Sequence, residues 1–209
     1  MVGTVSHKGS EWQLFKNIET HFKQHQNEKN IEFEMRLGKI NVGNFDTNVG
    51  ESNFNKILKG LRKYNDGWEN IVETTTSVYY KDNARTSINE ETEESVRIFK
   101  KNITKKNFNL ENKPYDVRFS VSKEIPIEAE ADDDDTCDSV RNKQRTSFVR
   151  KNLSIDMTVV TGDPVDLDCE DEAEYQIELE IIDPKKVKND DELYNIIYKI
   201  FDVLKIISP

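Results

Sequence analysis

Apolar residues recur along this chain at two distinct periods. In Glu11–Gln26, Trp12, Phe15, Ile18 and Phe22 fall three or four residues apart, the spacing that lines one face of an α-helix, and Ser10 stands where a cap is expected. Ser52–Tyr64 repeats the plan through Phe54, Ile57, Leu58, Leu61 and Tyr64, and Asp190–Ile206 through Leu193, Ile196, Ile197, Ile200 and Leu204. Stripes of this kind pack helices onto a core. Other segments alternate at every second residue, the period of a strand with one buried face. These predict strands over Ile31–Gly38, Trp68–Tyr80, Ala84–Asn89, Ser95–Thr104, Tyr115–Glu124, Arg141–Arg150, Ser154–Thr161 and Glu174–Ile182. Two acidic runs, Glu128–Asp135 and Asp163–Glu174, separate the later strands and read as solvated loops. Many strands with few helices predict a β-rich α+β domain.

Composition narrows the picture. A length of 209 residues suits one domain. Only 35% of the residues are hydrophobic and 33% are charged, with 40 acids against 30 bases and a net charge of −10. Gripping duplex nucleic acid by its backbone calls for an excess of Lys and Arg, so bulk nucleic-acid binding is disfavoured. A small anionic group in an internal basic pocket stays open, because net charge does not describe the local field. Cys137 and Cys169 lack zinc-site spacing and are too few for a disulfide framework, so a reduced intracellular compartment is the simple reading. No apolar run approaches the roughly 18 residues of a membrane span, and Met1–Ser10 lacks the apolar stretch of a signal peptide. No membrane partner is expected.

The polar faces of the predicted strands carry the candidate chemistry. Ile31, Phe33 and Met35 alternate with Glu32, Glu34 and Arg36, and Tyr175, Ile177, Leu179 and Ile181 with Gln176, Glu178 and Glu180. Tyr115, Val117, Phe119 and Val121 oppose Arg118, Ser120, Ser122 and Glu124, while Ile155, Met157 and Val159 oppose Ser154, Asp156 and Thr158. Arg141, Lys143 and Arg145 share one face. Two readings stay open on pattern alone: a sheet with one wet face, or a barrel whose charged faces line a cavity. Charges enclosed in a barrel would have to be paired, hydrated or occupied by ligand. The two Glu-x-Glu pairs, each projecting both carboxylates from one strand face, suit a hard divalent cation such as Mg²⁺ or Mn²⁺. With bases on neighbouring strands they suit a polyphosphate.

Taken in order, Ile31-Glu32-Phe33-Glu34, Tyr115-Asp116-Val117-Arg118 through Glu124, Arg141-x-Lys143-x-Arg145, Ile155-Asp156-Met157-Thr158 and Ile177-Glu178-Leu179-Glu180 resemble one family. It is that of the metal-dependent RNA triphosphatases of fungal, protozoan and large-DNA-virus mRNA capping systems, within the triphosphate tunnel metalloenzymes. The resemblance implies an eight-stranded antiparallel β-barrel with a charged interior and flanking helices. It implies Glu32, Glu34 and Glu180 as ligands of Mg²⁺ or Mn²⁺, and Arg85, Lys100, Arg118, Lys143 and Arg145 as phosphate contacts. Arg141 and Asp156 would orient those side chains by ion pairing, and Glu124 and Glu178 would handle the attacking water or belong to the second metal shell. Lys100 shares parity with Val96 and Ile98, so its inward direction rests on the resemblance or on a bulge. The chain departs from the fungal pattern at Gln176, where a glutamate is usual, and at Ser154, where an arginine is usual.

The activity so implied is hydrolysis of the β–γ phosphoanhydride at the 5′-triphosphate end of RNA, with free NTP as a further substrate. Tripolyphosphatase or thiamine triphosphatase activity in the same superfamily, and a non-catalytic polyphosphate-binding module, are the alternatives. The resemblance also implies a guanylyltransferase partner, in cis within a longer multifunctional capping polypeptide continuing past Pro209, or in trans. A monomer is expected. A viral source would place the protein in the host cytoplasm and the virion.

Overall fold

The computed structural model describes residues 9–128, 137–162 and 173–208. Most of both acidic runs, and Cys169, lie outside the described residues; Cys137 is exposed and free. The predicted helices appear as α1 (Ser10–His25), α2 (Glu51–Lys63) and α3 (Asp190–Lys205). The strands are β1 (Ile31–Asn41), β2 (Asn44–Asp46), β3 (Asn70–Lys81), β4 (Ala84–Asn89), β5 (Ser95–Phe108), β6 (Asp116–Pro126), β7 (Ser139–Arg150), β8 (Leu153–Thr161) and β9 (Glu174–Ile181). Ser10 is the first helical residue rather than the cap: Gly9 holds that position and makes no side-chain cap bond. Asn189 does cap α3, its side chain accepting from the Glu192 amide.

Each strand pairs antiparallel with the next in the order β2-β1-β6-β5-β4-β3-β7-β8-β9, and β1 also pairs with β9. That last pairing closes eight strands into a barrel, with β2 a short addition on β1. Closure decides between the two readings that the polar pattern left open. Along β8, Ser154, Asp156 and Thr158 are as buried as Ile155 and Met157, which no one-sided sheet would show.

The apolar faces point outward and are covered by the helices. Phe33, Met35, Leu37, Val117, Phe119, Val121, Ile155, Met157, Ile177, Leu179 and Ile181 join Phe15, Ile18, Phe22, Phe54, Ile57, Ile197, Ile200 and Leu204 in one core. Phe22 of α1 meets Phe33 of β1 with ring centroids 4.7 Å apart, and Phe54 of α2 meets Tyr175 of β9 at 5.3 Å. Burying such side chains contributes roughly 1.5–3 kcal/mol each, so the stability of the barrel resides outside its walls and leaves the lumen free for ions. Among the described residues no helix is long and apolar enough to cross a membrane.

Gly38 fixes how β2 folds back on the barrel. A Cβ there would lie 2.2 Å from the Asp46 carbonyl oxygen and 2.5 Å from the Phe45 ring. Gly38→Ala is therefore expected to lower stability by about 1–3 kcal/mol through overpacking, read as a fall in thermal midpoint. An unchanged midpoint would show that β2 is not held where Gly38 admits it.

Candidate active site in the charged tunnel

Register sets which side chains look inward. Glu32, Glu34 and Arg36 of β1 stand opposite Ser122, Ser120 and Arg118 of β6. On the other edge of β1, Glu34 faces Glu180 and Arg36 faces Glu178 of β9. β9 sets Glu178 against Asp156, and Glu180 against Ser154, on β8. Arg141, Lys143 and Arg145 alternate along β7 on the face from which Arg145 reaches Asp156. Arg85 of β4 and Lys100 of β5 come to this lumen through their shared partner, Glu124 of β6. All the site residues expected from the sequence thus share the inner face.

Their charges form an internal lattice. Lys100 Nζ lies 2.9 Å from Glu32, 3.1 Å from Glu124 and 3.9 Å from Glu34. Arg85 lies 2.8 Å from Glu124. Arg145 lies 3.1 Å from Asp156 and 3.9 Å from Glu178. Asp156 also accepts from the Ser154 hydroxyl. Arg36 bridges two carboxylates: its Nη2 is 2.8 Å from Glu178 and 3.1 Å from Glu34. Its Nε lies 2.8 Å from Glu34 but too far off line for a hydrogen bond. Pairing of this kind is what permits ionised groups to be buried at all.

Lys100 points inward although it shares parity with Val96 and Ile98. Ile98 looks to the same side and is buried there, and Val96 is exposed, so the apolar signal misdirected the parity argument. The bulge comes later, between Asn102 and Thr104; Ile103 lies on the outer core, and the inward parity reverses from Thr104 onward.

Two expected arrangements are not seen among the described residues. Arg141 has no ion pair among the described residues, so the orienting role by pairing falls to Arg145 and Asp156 alone. The carboxylates of Glu32, Glu34 and Glu180 share a face but are not drawn into one oxygen cluster; among the described residues no group of three or more acids, His or Cys is gathered closely enough to hold a metal. The reason is visible: Lys100 occupies Glu32, and Arg36 occupies Glu34.

The donor set nonetheless fits a hard cation. All three groups offer oxygen, and Glu34 and Glu180 stand directly opposite each other, a pair whose mutual repulsion on ionisation of Glu180 a bound cation would relieve. Burial pushes Glu180 up to about 8, aided by Glu32 and Asp156. Burial raises Glu32 as well, and Glu124 adds to the shift. Glu124 goes the other way: burial opposes ionisation, but the hydrogen bond with Glu32 and the charges of Arg85 and Lys100 hold it below the usual range. Ser120 Oγ, facing Glu34, is buried without a hydrogen-bond partner among the described residues.

Sequence reasoning passed over Arg36, whose place on the Glu32–Glu34 face was legible but whose bridging was not. It also missed Ser120, whose register against Glu34 depends on tertiary pairing.

A profile of the family described as mRNA capping enzyme, beta chain, matches residues 45–196, most of the chain. The chain belongs to that family. In this beta-chain family member the match runs from β2 into α3, and β1 with Glu32 and Glu34 is tied to it by strand pairing on both edges. Among solved structures, the S. pombe Pct1 RNA triphosphatase superposes with a TM-score of 0.76 at 16% identity, covering 93% of this chain and 90% of that one. The same protein in complex with the Spt5 CTD gives 0.76 at 17%, with 93% and 92% covered. The mimivirus capping enzyme triphosphatase gives 0.65 at 18%, with 95% and 98% covered. These likenesses establish the tunnel fold. No curated protein sequence matches the chain.

Glu180 gives a pH prediction for this family member. Its folded value of about 8 lies above the unfolded value of 4.5, so the folded state keeps a proton that the unfolded chain releases. The stability gained is full below the unfolded value and is lost as pH rises through about 8. Without divalent metal, the thermal midpoint is expected to fall between about pH 4.5 and about pH 8 and level off above, and Glu180→Gln to flatten that fall. An identical slope in the variant would place the titrating group elsewhere.

Proposed function

We infer that the chain is a metal-dependent RNA 5′-triphosphatase, cleaving the β–γ phosphoanhydride of nascent RNA to leave a 5′-diphosphate end, the first step of capping. The observation that carries this reading is the family match combined with an enclosed lumen in which bases and carboxylates alternate around a closed barrel. Free NTP is a second substrate, since such a lumen reads phosphates rather than a base.

The bases divide by what already neutralises them. Arg85, Lys100 and Arg145 are held by carboxylates, whereas Lys143 and Arg118 have no ion pair among the described residues. Burial depresses Lys143, despite the pull of Tyr80 and Glu178. An anion that pairs with Lys143 removes this penalty, so Lys143 and Arg118 are suited to receive phosphate oxygens, with Arg145, Lys100 and Arg85 shared between phosphate and carboxylate. Phosphoryl transfer needs positioning and charge stabilisation more than a covalent nucleophile.

Glu32, Glu34 and Glu180 would hold Mg²⁺ or Mn²⁺, which supplies Lewis-acid stabilisation of charge on the phosphate oxygens. Glu124, held ionised, and Glu178 are placed to accept a hydrogen bond from the attacking water and fix it in line with the γ-phosphorus. The water oxygen ends on the released phosphate, its protons pass to solvent or phosphate, and the electron pair of the broken bond stays on the β-phosphate. Asp156 keeps Arg145 in position. Lys100 and Arg36 must give up part of their hold on Glu32 and Glu34 for a cation to enter. The product end suits a guanylyltransferase, in cis or in trans, and the barrel is proposed to act as a monomer.

Phosphate release from γ-labelled triphosphate-ended RNA, ATP and tripolyphosphate, each with Mg²⁺, Mn²⁺ or chelator, tests the reading. Release from RNA should require the metal. Glu32→Ala and Glu180→Ala should each lower turnover by at least about 10²-fold. Near-normal turnover in both would remove these residues from the metal site, and hydrolysis of tripolyphosphate with RNA left intact would overturn the substrate.

A further inference from the structure

The β5 bulge resets which side chains of the strand face the lumen. Before it, Lys100 and Asn102 face the lumen, opposite Glu124 and Ser122; after it, Lys105 and Asn107 do so, opposite Ser120 and Arg118. Without the extra residue, Lys105 and Asn107 would point to the outer surface, as Lys106 does. The bulge thus extends one wall of polar side chains along β5 from the ion lattice to the mouth at Phe108.

Charge at that mouth is uncompensated. Arg118 donates from Nε to Asn107 Oδ1 at 2.9 Å, and its guanidinium stacks 4.6 Å from the Phe45 ring centre. Phe45 is itself pinned against Gly38. Neither Arg118 nor Lys105 has an ion pair among the described residues, in contrast to Arg36, Lys100 and Arg145. Burial and the nearby Arg36 charge hold Arg118 below the usual guanidinium value. Between Lys105 and Glu34, in register with both, sits Ser120, 5% exposed and with its hydroxyl unpartnered. An aligned base, an exposed base and an orphaned hydroxyl leading inward make a track for an anion longer than the lattice needs.

We propose that Lys105 and Asn107, beside the Phe45-braced Arg118 that also contacts the triphosphate, form a subsite for the RNA chain behind the triphosphate, holding the first phosphodiester group at the mouth of the lumen. This rests on the reading that the tunnel receives a 5′-triphosphate end. A phosphate ester is always charged, so an exposed lysine and a pre-oriented guanidinium suffice to bind it without reading sequence. A nucleoside triphosphate has no such group and gains nothing from the subsite. The subsite therefore separates RNA from NTP through binding and leaves the chemistry alone.

The test compares Lys105→Glu and Lys105→Arg with the unmodified chain. Equilibrium binding and metal-dependent phosphate release are measured with a triphosphate-ended oligoribonucleotide and with ATP across a salt series. Lys105→Glu should weaken RNA binding and raise its KM by about tenfold, lower the salt slope of binding by about one, and leave ATP binding and turnover unchanged. Lys105→Arg should restore RNA binding. Loss of RNA and ATP together, or loss of neither, overturns the subsite. Absence of phosphate release from both substrates by the unmodified chain overturns the hydrolase reading instead, while the binding comparison still decides the subsite.

Discussion

Strand β1 is hydrogen-bonded on both edges, to β6 from Ile31 to Gly38 and to β9 from Glu34 to Arg36. This double engagement turns a twisted sheet into a closed wall. Without it, Glu32, Glu34 and Arg36 would face bulk water, where ion pairs between side chains count for little. With it, the same residues meet Glu178, Glu180, Lys100 and Arg118 in an enclosed space where each charge must be answered by another. Fold and chemistry therefore share one cause. The apolar half of each strand drives closure by burial against the helices, and closure then imposes the electrostatic problem that the polar half solves.

That solution is incomplete in an informative way. Acids and bases cancel around Arg36, Lys100, Arg85 and Arg145, but the excess is left at separate ends of the pattern. Glu34 confronts Glu180 with no base between them in register, and burial keeps Glu180 protonated into the alkaline range. Among the described residues, Lys143 and Arg118 hold positive charge without a carboxylate. A lumen with a buried, protonated carboxyl opposite a carboxylate, and with basic groups that no carboxylate among the described residues neutralises, is complementary to a cation joined to an anion, which is the form in which a metal–polyphosphate complex arrives. The departures from the fungal pattern sit quietly within it. Ser154 donates to Asp156 in place of a base, and Gln176 turns its amide to Glu174.

Much of the architecture was legible because it depends on local period. Phe15, Ile18 and Phe22, or Leu193, Ile197 and Ile200, fix their helix faces without reference to anything distant, and the helix limits fall within a residue or so of those expected. β2 was invisible because three residues carry too little alternation to register as a strand. The inward direction of Lys105 and Asn107 was hidden by a bulge, a non-local event that reverses parity midway along β5. Arg36 was placed on the right face, yet its two carboxylates come from its own strand and from β9, a pairing that only closure creates. Whether the polar faces were wet or enclosed could not be read from either strand alone, because each looks the same before it meets its partners.

The seam between β1 and β9 also has a consequence for how the chain reaches this state. Its residues join the first strand to the last, across most of the 209-residue sequence, through only the pairs from Glu34–Glu180 to Arg36–Glu178. Contacts of such long span carry the greatest loop-closure entropy and form late. The hairpins β3–β4, β5–β6, β7–β8 and β8–β9 join near neighbours and can assemble earlier as an open, hydrated ribbon. Zipping that ribbon shut is then the step that traps ions inside, and it brings two glutamates together as its final act. Assembly of the wall and readiness for a cation arrive in the same event.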